Sequence, residues 1–189
     1  MIDSSKYFSE YFNDISISLR SIDSDMLVDA ANIVWESSEL GKKVIIVGNG
    51  GSAAMASHVA VDFTKAAGIR SITFNEADLL TCFSNDYGYE NWVVEALKAY
   101  ADEGDVAILI SSSGTSKNIV NGAITAKEMG LKVITLSGFS KENDLNTKGD
   151  INFWLNSSSY NNVEMTHHVW LVAIVDYLIQ VHRNSLDGK

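Results

Sequence analysis

One stretch constrains the fold of this chain more than any other: Val44 to Thr64, VIIVGNGGSAAMASHVAVDFT. The β-branched run Val44-Ile45-Ile46-Val47 enters Gly48-Asn49-Gly50-Gly51-Ser52, and an alanine-rich segment with helical spacing follows. This predicts a buried strand, a glycine turn and a helix N-terminus. Such a turn is suited to cradle a phosphate. Glycines let the backbone approach an anion, Ser52 is placed to cap the helix and offer its hydroxyl, and the free N–H groups of a first helical turn carry partial positive charge. A plain strand-to-helix connection is the competing reading. The glycines match neither G-x-G-x-x-G nor G-x-x-x-x-G-K-[ST], so no nucleotide cofactor is expected.

Around this stretch, apolar runs alternate with amphipathic ones. Residues 4–39 predict two helices broken near Ile22-Asp23-Ser24-Asp25, with Asp23 or Ser24 as cap of the second. The first carries Phe8, Tyr11 and Phe12, more aromatic surface than a lone edge helix needs, and is expected to pack against another subunit or, failing that, within the chain. A short strand over 71–74 and a helix over 78–83 lead to a polar turn, Ser84-Asn85-Asp86-Tyr87-Gly88-Tyr89, followed by a helix over 92–100. Val106 to Ile110 reads as a second buried strand, 119–129 as a helix stopped by Gly130, and 132–136 as a third strand. Continuous apolar strands separated by helices predict a parallel sheet covered on both faces, an α/β architecture whose ligand loops leave the carboxyl ends of strands.

The second such loop is Ser111-Ser112-Ser113-Gly114-Thr115-Ser116, with five hydroxyl residues in six positions. Neutral donors at a strand end and helix start can surround a phosphate without net positive charge. The alternative is a solvated Ser/Thr turn. Lys117 either adds one charge or faces solvent.

Composition narrows the classes. The chain has 189 residues and a net charge of −10, which disfavours nucleic acid as a partner and requires local donors for any anionic substrate. No apolar run is long enough for a membrane span and no secretory signal is seen. The lone Cys82 excludes an internal disulfide, fits a reducing cytoplasm and is expected to be a buried small hydrophobe.

With GNGGSA after the first strand and SSSGTS after a later one, the chain resembles the sugar isomerase (SIS) domain family, and within it the bacterial phosphoheptose isomerases, over nearly its whole length. The resemblance implies one domain over 1–189, with a five-stranded parallel sheet between helices, N-terminal helices over 1–40 at an oligomer interface and a C-terminal helix over 163–182 bearing candidate catalytic residues. It implies a homotetramer with active sites at subunit interfaces. It also implies isomerisation of sedoheptulose 7-phosphate to glycero-manno-heptose 7-phosphate, in a pathway to surface-polysaccharide heptose. Carried over by position, the substrate-binding elements fall on Asn49, Gly50, Gly51 and Ser52, on Asn85 and Asp86, and on Ser111, Ser112, Ser113 and Ser116.

The chemistry is where this sequence departs from the family. The family's His and Glu after the first loop are here His58 and Asp62, and its Gln and His on the last helix are Glu164 and Val172. Residues four apart share a helix face, so Glu164 and His168 project together as His58 and Asp62 do. Aldose–ketose isomerisation needs a base for the carbon-bound proton and a second group for the hydroxyl proton. The expectation is that Glu164 or Asp62 is the carbon base and that His168 replaces the lost histidine one turn earlier. Some family members build a metal site from these positions, and His58, Asp62, Glu164 and His168 are donors that zinc accepts. They also occur as ordinary helix-surface pairs. His167 points to the apolar stripe as a core or interface histidine, and His182, near the chain end, is assigned no role. The family's arginine after the first helix is absent, Thr64-Lys65-Ala66 standing there, and Lys65 cannot supply a bidentate contact.

Two other readings compete. One is a non-catalytic SIS module binding phosphosugar or protein, of the kind that associates with a replication initiator, for which Val172 speaks. The other is an isomerase of a different phosphosugar.

Overall fold

The computed structural model describes residues 3–186, with side chains to His182; residues 1–2 and 187–189 of the expected 1–189 domain lie outside the described residues. Helices α1 (Ser4–Leu19) and α2 (Ser24–Glu39) precede strand β1 (Val44–Gly48). Then come α3 (Gly51–Lys65), β2 (Ser71–Thr73), α4 (Ala77–Tyr87), α5 (Trp92–Tyr100), β3 (Val106–Ser111), α6 (Lys117–Glu128), β4 (Lys132–Ser137), a 3-10 turn (Asp144–Thr147), β5 (Ile151–Trp154) and α7 (Tyr160–Leu186). The break between α1 and α2 falls where expected, and Asp23 is the cap, accepting from the Asp25 amide.

The five strands are parallel in the order β2-β1-β3-β4-β5. Strand alternation divides the core in two. Val44, Ile46, Ile108 and Ile110 face one layer, with Phe63 and Leu171, whereas Ile45, Val47, Ala107 and Leu109 face the other, with Trp92 and Ile119. A side chain buried so completely contributes about 1.5–3 kcal/mol, so the β-branched strands and the small-residue faces of α3 and α6 account for the three-layer packing. Trp170 ties α7 to the N-terminal helices by donating its indole N–H to the Leu19 carbonyl at 3.1 Å.

The topology positions the site. Chain progression runs outward from β1 to β2 on one side and from β3 through β4 to β5 on the other, so the sheet order reverses between β1 and β3. Gly48 pairs with Ile110 in register, and the two candidate loops therefore leave adjacent strand ends at the switch point, where open α/β sheets bind ligands.

Several local expectations are corrected. The polar turn expected over 84–89 is helical as far as Tyr87, and the helix stops only at Gly88, whose amide bonds to Ser84 O. Cys82 is exposed on α4, its Sγ 3.8 Å from Asp86 Oδ2, and not a core hydrophobe, because α4 turns that face outward. His182 is not idle: it stacks on Trp35 with ring centroids 3.5 Å apart, where α7 leaves helical geometry. Strand β5 follows no periodic signal in the sequence, being only four residues long.

Candidate active site

At the switch point, Gly50 adopts φ 54° and ψ −121°, a conformation that glycine tolerates and that turns the chain from β1 into α3. The expected cap at Ser52 does not form, since the cap position of α3 is Gly50, two residues earlier and without a side-chain cap, and Ser52 lies within the first turn. The N-terminal amides of α3 are thus not taken up by a capping side chain. Ser52 is buried, with its hydroxyl 3.5 Å from that of Ser112.

The loop after β3 supplies the opposite wall. Ser111 donates to Ser116 Oγ at 3.1 Å, and Ser113 and Thr115 pair at 3.0 Å. Ser116 stands at the N-cap of α6 without using its side chain there. Between the loops lies a cleft of about 100 Å³, lined by Asn49, Ser52, Ser111, Ser112, Ser113, Ser116, Ile110, Tyr160 and Glu164. Among the described residues no lysine or arginine lines it. Lys117 borders a neighbouring cleft and Lys65 a groove beside β2.

Glu164 reaches the cleft from α7. A Cβ on Gly51 would overlap its carboxylate, so the glycine is what allows the acid to lie against the start of α3. Burial raises the Glu164 carboxyl above the ordinary carboxylate value, and the Ser112 hydroxyl partly opposes this. One turn further on, His168 Nε2 lies 2.9 Å from His58 Nδ1, and His58 Nε2 lies 3.2 Å from Asp62 Oδ2. Burial, and then the neighbouring His58, hold the His168 imidazole below its ordinary value, while Asp62 opposes them. The expected pairing of α3 and α7 through an imidazole and a carboxylate from each is thus present in part: His58 bonds His168 and lies within ion-pair distance of Asp62, and Glu164 sits with the serine loop instead.

That separation bears on zinc. Among the described residues no group of three or more His, Cys, Asp or Glu is arranged to hold a metal ion. Glu164 sits in the serine-lined cleft, apart from the His58, Asp62 and His168 cluster, so the four expected donors do not converge on a closed zinc site as they stand. Val172, at the family histidine's position, packs against the core.

Of the substrate-binding residues expected from sequence, Asn49, Ser52, Ser111, Ser112, Ser113 and Ser116 meet at one cleft, with Gly50 and Gly51 forming its turn. Asn85 and Asp86 do not: they lie exposed on the last turn of α4, bonded to each other at 2.9 Å. His167 is fully buried as expected, with Nε2 3.1 Å from Ser137 O, but its Nδ1 has no partner among the described residues. Sequence reasoning missed Tyr160, whose ring stands 4.9 Å from that of Phe139 at the rim. It also missed Asn118 and Tyr89, which bond Asn49.

Known proteins share the sequence pattern and the fold. The profile of the SIS domain family matches residues 8–138. Phosphoheptose isomerase of Thermodesulfovibrio yellowstonii is 32% identical over 166 residues, covering 82% of each chain. That of Campylobacter concisus is 34% identical over 162 residues, covering 82% of this chain and 84% of its own. Among solved structures, a phosphoheptose isomerase from Francisella tularensis superposes with a TM-score of 0.84 at 25% identity, over 95% of this chain and 100% of the other. Phosphoheptose isomerase GmhA from Neisseria gonorrhoeae gives 0.82 at 25% identity, over 92% and 96%.

Proposed function

The chain belongs to the SIS domain family, and from that premise we propose that it is an aldose–ketose isomerase of a phosphorylated sugar, converting sedoheptulose 7-phosphate to glycero-manno-heptose 7-phosphate. The observation that carries this reading is one cleft combining a neutral phosphate cradle with a half-buried carboxylate of raised pKa, Glu164. The relatives' names supply the substrate.

In this reading the amides of the glycine turn and the serine hydroxyls hold the phosphate. Glu164 takes the proton from C1 of the ketose, the enediol forms, and the proton returns to C2 to give the aldose, while His168 moves the proton between the two oxygens. Glu164 suits the carbon base better than Asp62, whose carboxylate faces His58. The exposed aromatics of α1, Tyr7, Phe8 and Phe12, support a subunit interface and hence the homotetramer, with the cytoplasm as the proposed compartment. No helix among the described residues is long and apolar enough to cross a membrane.

Proton NMR of sedoheptulose 7-phosphate with the purified protein in deuterated water tests the proposal. Aldose signals with deuterium at C2 are expected. Unchanged ketose at high enzyme concentration would overturn it.

A further inference from the structure

We infer that Asn118 and Tyr89 are positioning residues that fix which edge of the Asn49 amide faces the ligand; the inference rests on the sugar-phosphate reading of the cleft. Asn118 is the second residue of α6 and only 1% exposed, yet both of its polar atoms are directed to one partner. Its Nδ2 donates to Asn49 Oδ1 at 2.9 Å, and its Oδ1 accepts from Asn49 Nδ2 at 3.0 Å. The Tyr89 hydroxyl donates to the same Asn49 Oδ1 at 3.0 Å, from the chain between α4 and α5.

An amide oxygen accepts two hydrogen bonds and an amide nitrogen donates two. Asn49 Oδ1 is therefore saturated, one of its N–H groups is taken by Asn118, and its other N–H is what remains for the cleft it lines. For an anionic ligand, the choice between an N–H and a C=O is the choice between attraction and repulsion. It matters more here than in most phosphate sites, because among the described residues no lysine or arginine lines the cleft and Glu164 is the one charged residue that does, and the chain as a whole carries −10. Rotating the Asn49 amide alone would oppose like groups across a buried pair, and turning both amides together would place an N–H where the Tyr89 hydroxyl now donates to Oδ1. The glycine turn thus supplies the backbone donors, and α6 sets the polarity of the side-chain donor beside them.

The test has two arms. In the free wild-type protein, side-chain amide NMR should show nuclear Overhauser contacts between the Asn49 and Asn118 amides, with one Asn49 proton exchanging slowly and the other fast. Equal exchange of both Asn49 protons, or no contact to Asn118, overturns the inference whether or not any sugar is turned over. The second arm is a double-mutant cycle with Asn49→Ala and Asn118→Ala, read as Kd for sedoheptulose 7-phosphate and as kcat and KM. Asn118→Ala alone should weaken binding about tenfold with kcat within about threefold. In the Asn49→Ala background the same change should be worth less than about twofold, because Asn118 acts through Asn49. Tyr89→Phe should move Kd the same way by less. Equal effects of Asn118→Ala in both backgrounds would make its role merely structural and overturn the inference. Absence of sugar-phosphate binding by the wild type would remove the functional reading, and the first arm would still decide the orientation.

Discussion

His58 Nδ1 and His168 Nε2 lie 2.9 Å apart across the α3–α7 packing, and the opposite nitrogen of His58 faces Asp62 Oδ2 at 3.2 Å. Hydrogen bonding between two ring nitrogens ties the orientation of the His168 imidazole on α7 to that of His58 on α3. The contact joins residues 110 apart in sequence and places the His168 ring beside the α3 face that carries Asp62.

His168→Ala should therefore lower kcat about 100-fold or more, within the usual range for loss of a proton-transfer group. Because burial holds the His168 imidazole below its ordinary value, it stays neutral to lower pH than a free histidine. The acid limb of kcat/KM in the wild type should fall below about pH 6.5. A limb at or above that value, or full turnover by the alanine variant, would remove His168 from the proton path.

Sequence patterning showed both ligand loops, and for a physical reason: a continuous apolar strand followed by glycine or serine at a helix start is a local signal, and parallel pairing then brings Gly48 beside Ile110. Long-range partnerships were not legible. The Asn49–Asn118 pair spans 69 residues and the His58–His168 contact 110, and neither leaves a periodic trace. Asn85 and Asp86 misled because Ser, Asn and Asp favour turns, yet here the packing of α4 against α5 carries the helix through them. Cys82 misled because a small apolar side chain on a short helix has two faces available and the sequence does not say which is covered.

His167 sets a stability prediction. Complete burial pushes its pKa down to about 4, so the unfolded chain takes up a proton that the folded chain refuses. Its contribution is fully present above about pH 6.5 and is lost as pH falls from there toward 4, up to about 3 kcal/mol. Urea midpoints should fall across that window. His167→Leu should cost stability at pH 8 and flatten the decline, since Ser137 O keeps its bond from Leu155 N. An equally steep decline in the leucine variant would place the acid sensitivity elsewhere.

The α1 surface makes a second structural prediction. Phe8 and Phe12 are 56% and 65% exposed on one helix, apolar area that a lone chain gains nothing by displaying. If α1 forms the interface of the homotetramer proposed above, Phe8→Glu with Phe12→Glu should reduce the sedimenting mass relative to the wild type with the circular dichroism unchanged. An unaltered mass would assign these rings another use.

Glu164 and Gly51 should fail together in activity but not in stability. Glu164→Gln removes the carbon base and should lower kcat about 100-fold or more, read as aldose formation by NMR. Its effect on stability has the opposite sign from that of a typical ion-paired acid. Burial raises the Glu164 pKa, so the folded state favours the protonated form, and stability declines as pH rises through that pKa and the carboxylate forms. At pH 7 the neutral amide should leave Tm equal or higher, with the difference closing toward low pH. Gly51→Ala places a methyl where the carboxylate lies, so Glu164 must swing out of the cleft. That variant should lose turnover to a similar degree while still folding, because alanine favours the first turn of α3. A Gly51→Ala enzyme of normal kcat would show that Glu164 does not act from the position against α3, and the base would then have to be Asp62.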